Sequence, residues 1–175
     1  MAYFNQFPKI LYDVKSDGKP VLMTNLLKRV RMRDSIRLST VAFDYYDVGE
    51  QETPEYVAGV YYGDPELHWI VLYANSIVDV YTQWPMSTPD FERYVKTKYD
   101  DINAVHHYEI TQESGDTTKK IELPNDSATS IPVGAVTITN YEYETRIQEE
   151  KRRIRLVQPR YVERIKKEFR NKISE

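Results

Sequence analysis

The stretch TPEYVAGVYYGDPELHWIVLYAN, residues Thr53 to Asn75, decides the fold. A Thr-Pro-Glu start suits a helix, because the Thr53 hydroxyl can accept from a free first-turn amide. Pro54 has no N–H to waste there, and the Glu55 charge faces the positive helix end. The spacing predicts a helix over 54–62. Gly63 can take the left-handed conformation that closes it, and Asp64-Pro65-Glu66 supplies cap, proline and carboxylate for a second helix. That helix is predicted over 65–75, with Leu67, Ile70, Val71 and Ala74 on one stripe and Trp69 and Tyr73 beside it. Two short helices linked by a glycine turn form a helical hairpin.

Working outward, Ser39 to Val48 carries Val41, Phe43, Tyr45 and Tyr46 and reads as a strand. Met23 to Ser35, with Leu26, Leu27 and Val30 among basic residues, fits a short helix capped by Thr24. Residues 1–20 contain Pro8, Gly18 and Pro20 and read as an arm ordered by contact. Downstream, Ser87-Thr88-Pro89-Asp90 repeats the cap-and-proline start for a helix to about Lys98. His106–Thr111 and Lys119–Leu123 flank Ser114-Gly115-Asp116 as a polar hairpin, Pro124–Pro132 is a turn-rich loop, and Val136–Thr139 is a further strand. From 141 to 173, Ile147, Ile154, Val157, Tyr161, Ile165, Phe169 and Ile173 recur at helical spacing. Pro159 is incompatible with a helix interior, so a break is expected near Gln158. The class is α+β: an arm and short helix (1–40), a central βααβ module and following helix (41–100), a β-hairpin region (101–140) and basic amphipathic helices (141–175).

The 175 residues contain no cysteine, so disulfides and thiolate metal sites are excluded, as suits a reducing compartment. No window approaches the roughly 18 apolar residues of a membrane span, and the start lacks a basic region followed by a long apolar run. A soluble protein with no membrane partner is expected. Fifteen tyrosines against five phenylalanines suit surfaces that are half core and half contact. The net charge of −3 is unevenly spread. Residues 1–41 hold eight Lys and Arg against three Asp and Glu, residues 146–175 hold eleven against five, and 42–145 carry −14. Such ends can neutralise nucleic acid or lie on acidic neighbours in an assembly.

Tyr45-Tyr46-Asp47-Val48, the 53–62 helix, Tyr62-Gly63-Asp64-Pro65, Trp69 and Ala74-Asn75 resemble the lysin motif, a βααβ module. With Asp79, Tyr81 and Trp84, and with Tyr141-Glu142-Tyr143-Glu144 and Gln158-Pro159-Arg160-Tyr161 farther on, the chain resembles the baseplate wedge proteins of contractile-tailed bacteriophages. The likeness is best over about 40–100, loose in the C-terminal helices and absent from 105–140. It implies a non-catalytic virion component of the tail baseplate, assembled in the host cytoplasm. Such a component binds other wedge and hub proteins and helps join wedges around the hub. A true lysin motif binds N-acetylglucosamine polymers, but Glu50, Gln51 and Glu52 stand where small polar residues are expected, which disfavours glycan binding.

The expected protein-interface residues are Tyr62, Asp64, Trp69, Tyr81, Trp84, Arg152, Arg155, Tyr161 and Phe169, since Trp, Tyr and Arg dominate interface energetics. For Trp69 and Trp84 core packing is the competing reading. His106 and His107, as strand neighbours, are expected on opposite faces and unable to share a metal. Asp100-Asp101 and Glu149-Glu150 read as solvated faces. Neither a Gly-rich phosphate loop nor a nucleophile elbow is present, so no enzyme, cofactor or metal is expected. Lys151, Arg152, Arg153 and Arg155 could contact phosphates, but Glu149, Glu150, Glu163 and Glu168 interrupt the stripe. Packing against protein is favoured over nucleic acid.

Overall fold

The structure, a computed structural model, describes residues 3–112, 119–125, 131 and 133–174. Two compact units are present, one formed by Met1–Trp84 with Arg153–Glu175 and the other by Pro85–Arg152.

The first unit begins with a 3-10 turn, Tyr3–Gln6, and an antiparallel hairpin of β1 (Lys9–Tyr12) and β2 (Val21–Thr24). The short helix α1 (Asp34–Arg37) precedes β3 (Phe43–Asp47). Helix α2 (Pro54–Tyr62) has the expected bounds. Its Thr53 side chain accepts from Tyr56 N, and Gly63 closes it at φ +74°. The second helix starts as a 3-10 turn, Pro65–Leu67, capped by Asp64, before becoming α3 (His68–Ala74). One further turn, α4 (Val80–Gln83), leads to Trp84.

The chain returns to this unit as β7 (Arg153–Val157), antiparallel to β3 with Tyr45 opposite Arg155, and ends in α7 (Pro159–Ser174). Here the expected helix across 141–158 is corrected. Arg153-Ile154-Arg155-Leu156 alternates polar and apolar, so pairing with β3 buries Ile154 and Leu156, which a helix would not place on one side. The break expected near Gln158 is present, and Pro159 is the first residue of the second helix. The helix expected over Met23–Ser35 is also corrected: β2 takes Met23 and Thr24 into pairing, Leu26 and Leu27 have no core to face, and only Asp34–Arg37 is helical.

Two apolar clusters hold the unit. In the first, Trp69, Ile70 and Ala74 of α3 meet Val162, Ile165, Phe169 and Ile173 of α7, with Phe43 and Val157 from the sheet. In the second, Val57 and Ala58 of α2 and Val71 of α3 meet Ile154, Leu156, Val48 and Trp84. Helix α3 therefore serves both clusters with adjoining faces.

The second unit has α5 (Thr88–Lys98), capped by the Ser87 hydroxyl, then β4 (Val105–Thr111), β5 (Lys120–Pro124), β6 (Val136–Thr139) and α6 (Asn140–Arg152). The strands form one antiparallel sheet in the order β5-β4-β6. The expected Ser114-Gly115-Asp116 turn and most of the Pro124–Pro132 loop lie outside the described residues. Among the described residues the whole is seven α-helices with three small sheets, a mixed α+β protein.

Candidate protein-interaction surface

Strands β3 and β7 are joined to helices α2 and α3 by polar ties at specific backbone groups. The Asn75 carboxamide accepts from Arg155 N at 2.8 Å and donates to Arg155 O at 2.8 Å, imitating one more strand on the outer side of β7. The same Nδ2 donates to Val71 O, which anchors it to the end of α3. Tyr62 donates to Val157 O at 3.0 Å, and burial raises its hydroxyl pKa. Tyr61 donates to Asp44, whose pKa is lowered by this hydroxyl and by Gln158. The loop after β3 is also closed on itself. The Glu52 carboxylate accepts from Tyr46 OH and Gly49 N, and its carbonyl from Trp84 Nε1 at 2.8 Å.

The residues expected at an interface fall into three groups. Trp69, Trp84 and Phe169 are at most 5% exposed; the chain's own core occupies them, and Trp69 and Phe169 pack at 4.8 Å between ring centroids. Tyr62, Asp64, Arg152, Arg155 and Tyr161 are half-buried and engaged within the chain. Asp64 caps the 3-10 turn by accepting from Glu66 N, and Arg152 pairs with Glu149. Arg155 donates to Arg37 O, stacks over Phe43 and also reaches Ala74 O. The Tyr161 ring lies under the Arg160 guanidinium. Tyr81 alone of the nine stands out into solvent, at 89% exposure.

The proposed phosphate-contacting stripe is likewise dispersed. Lys151 and Arg152 end α6, while Arg153 and Arg155 lie on β7, with Arg153 over the Tyr45 ring.

The largest apolar exposure lies where the sequence suggested an arm. Ile10, Leu11, Tyr12, Val21, Leu22 and Met23 on the hairpin are all exposed, on both of its faces. The turn is held by the Asp13 carboxylate, which accepts from Gly18 N at 2.7 Å and Asp17 N at 3.2 Å and is lowered in pKa by those bonds. Segments before the hairpin (Tyr3, Phe4, Phe7) and after it (Leu26, Lys28, Arg29) line a groove of about 630 Å³ together with Trp69 and Tyr73. Apolar runs either side of Ser16-Asp17-Gly18 were the available hairpin signal.

In the second unit the buried carboxylates are paired. Glu109 accepts from Arg146 and from Lys120 at 2.8 Å, and these, the Arg146 bond first, hold its pKa at about 2. Glu144 accepts from Lys98 Nζ at 2.7 Å and from Tyr99 OH at 2.8 Å. His106 and His107 meet at 2.8 Å between Nδ1 atoms, not on opposite faces, because an irregularity in pairing at Val105/His107 breaks the alternation. His106 stacks on Tyr143, and burial lowers its pKa. Among the described residues no group of three or more His, Cys, Asp or Glu could hold a metal ion.

The family model for base plate wedge protein 53 matches residues 1–128. No curated protein matches the chain. With well over half its length matched, the chain belongs to the base plate wedge protein 53 family, structural proteins of the bacteriophage tail baseplate.

Proposed function

From that membership we propose that the chain is a non-catalytic subunit that binds neighbouring wedge and hub proteins and helps join wedges around the hub. The observation that carries this is the family match across the β3–α2–α3 segment. In this reading β3–α2–α3, whose partner strand is β7 from Arg153–Val157 and not a strand within 41–100 as expected, is a lysin-motif-like module used for protein contact. Support comes from the Glu52 loop, whose carboxylate and carbonyl are already engaged by Tyr46, Gly49 and Trp84. A module used this way contributes rigidity and register, with complementary charge setting partner choice.

Reconstitution tests the proposal. The purified chain, mixed with the purified wedge proteins of the same phage, should co-elute with a wedge complex; failure to enter any such complex refutes it. Pelleting with peptidoglycan would favour the glycan reading. Binding to duplex DNA that weakens steeply with salt would favour phosphate contact.

A further inference from the structure

We propose that the β1–β2 hairpin is a docking arm that adds to an open sheet edge on an acidic, apolar-flanked surface of a neighbouring wedge protein. The inference rests on the wedge-subunit reading above and names the element that makes the contact. A lone two-stranded hairpin is marginal in water and is normally held by a third strand or by packing on one face. This one has Ile10, Tyr12, Val21 and Met23 on one face and Leu11 and Leu22 on the other, all exposed. With Val14 these side chains expose on the order of 700 Å², close to the roughly 800 Å² each partner contributes to a standard interface.

Backbone geometry names the kind of partner. Asn25 N donates to Pro8 O, which makes Pro8 and Asn25 a hydrogen-bonded pair and sets the alternation along the hairpin. Lys9 and Leu11 then turn their amide and carbonyl groups outward along β1, as do Leu22 and Thr24 along β2. Both strands are edges of a two-stranded sheet. An outward row of alternating donors and acceptors is satisfied by another strand, the mode of recognition by strand addition. Phosphates and acyl chains cannot satisfy it.

Charge supplies the partner's sign. The hairpin and the segment after it carry Lys9, Lys15, Lys19, Lys28, Arg29, Arg31 and Arg33 against Asp13 and Asp17, and the Asp13 carboxylate is committed to the turn. Arg33 is paired with Glu168 and Arg31 with Asp34, and Glu66 also lines the groove, so the positive excess rests mainly on Lys9, Lys15 and Lys19 of the hairpin. The groove flanked by Phe4 and Leu26 continues the apolar surface, so a strand on the hairpin edge can seat an apolar side chain there.

The test uses the full chain and a wedge subcomplex reconstituted from the other purified wedge proteins. Leu11→Lys with Leu22→Lys places charge on the apolar face that this cross-strand pair forms, and Lys15→Glu with Lys19→Glu reverses the charge. Each pair should weaken binding at least tenfold while the thermal midpoint, read by tryptophan fluorescence, is unchanged. In the wild-type chain, amides of Lys9–Tyr12 and Val21–Thr24 should gain hydrogen-exchange protection on binding. Wild-type affinity in the variants, or hairpin amides that stay unprotected in the complex, overturns the docking arm and leaves the wedge role standing. A wild-type chain that binds no wedge subcomplex overturns both. Homodimers that the leucine variants abolish would assign the arm to a second copy and overturn the acidic partner. DNA binding lost in the Lys→Glu pair but kept in the Leu→Lys pair would also overturn it.

Discussion

Replacing Asn75 by alanine should unlatch β7 from α3. The carboxamide makes three hydrogen bonds of 2.8 Å, two of them to the N–H and C=O of Arg155, 80 residues away. Alanine removes all three and leaves the Arg155 backbone groups without this partner at a half-buried site. A net loss of about 1 kcal/mol per bond, plus part of the penalty for unsatisfied groups, gives about 2–4 kcal/mol. For a unit of this size that corresponds to a fall of roughly 10–20 °C in midpoint. Both tryptophans lie in the same unit as the latch, so fluorescence during urea unfolding reports on it alone. Asn75→Asp keeps the acceptor for Arg155 N but sets a carboxylate against the carbonyl oxygens of Val71 and Arg155, so it should be at least as destabilising at neutral pH. A loss below about 0.5 kcal/mol for Asn75→Ala would refute the latch, because it would mean water replaces the amide at no cost.

Three further outcomes follow from single features. Glu109 is held at about 2 against an ordinary value of 4.5, so its contribution to the second unit is fully present above pH 4.5 and is lost as pH falls toward 2; Glu109→Gln should flatten that part of an acid titration followed by circular dichroism. Gly63→Ala meets no atom within 4 Å but forces a side chain to φ +74°, so a loss of about 1 kcal/mol from backbone strain alone is expected in urea unfolding. A chain ending at Arg152 lacks the Leu156, Ile165 and Phe169 packing; its tryptophan fluorescence should show no cooperative unfolding transition, and a sharp one would show that the first unit closes without β7.

The parts legible in the sequence were those fixed by local chemistry. Thr53-Pro54, Gly63-Asp64-Pro65 and Ser87-Thr88-Pro89 each dictate a helix boundary through a cap, a fixed φ or a positive φ, and the helices they bound start or stop there. The parts misread depended on partners far along the chain. Ile154 and Leu156 satisfy a strand, and Ile147, Ile154 and Val157 also satisfy a helix; only β3, about 110 residues earlier, decides between them. The Met23–Ser35 segment was ambiguous in the same way, with β1 tipping it. Of the interface residues, Tyr81 has an outward position, whereas Trp69 and Trp84, for which core packing was the competing reading, and Phe169, on the apolar stripe, belong to the core; residue type does not reveal which side of a helix other elements will cover.

Tyrosine enrichment suggested aromatic contact surfaces, yet the hydroxyls of Tyr46, Tyr61, Tyr62 and Tyr99 serve as internal ties. Tyr46 reaches Glu52, Tyr61 reaches Asp44 and Tyr62 reaches the Val157 carbonyl, while Tyr99 reaches Glu144. A ring that fills a core boundary and ends in a donor can join two elements without a cysteine or a metal, which is useful in a chain with small sheets and short helices. On the N-terminal hairpin the exposed apolar side chains are mostly aliphatic, with Tyr12 beside Ile10, Leu11, Val21, Leu22 and Met23. Aliphatic side chains lack polar groups to direct a contact, so specificity there must come from the outward backbone groups and the surrounding lysines. For that reason the hairpin, whose side chains resemble any buried strand, is better suited to strand addition than to a flat aromatic interface.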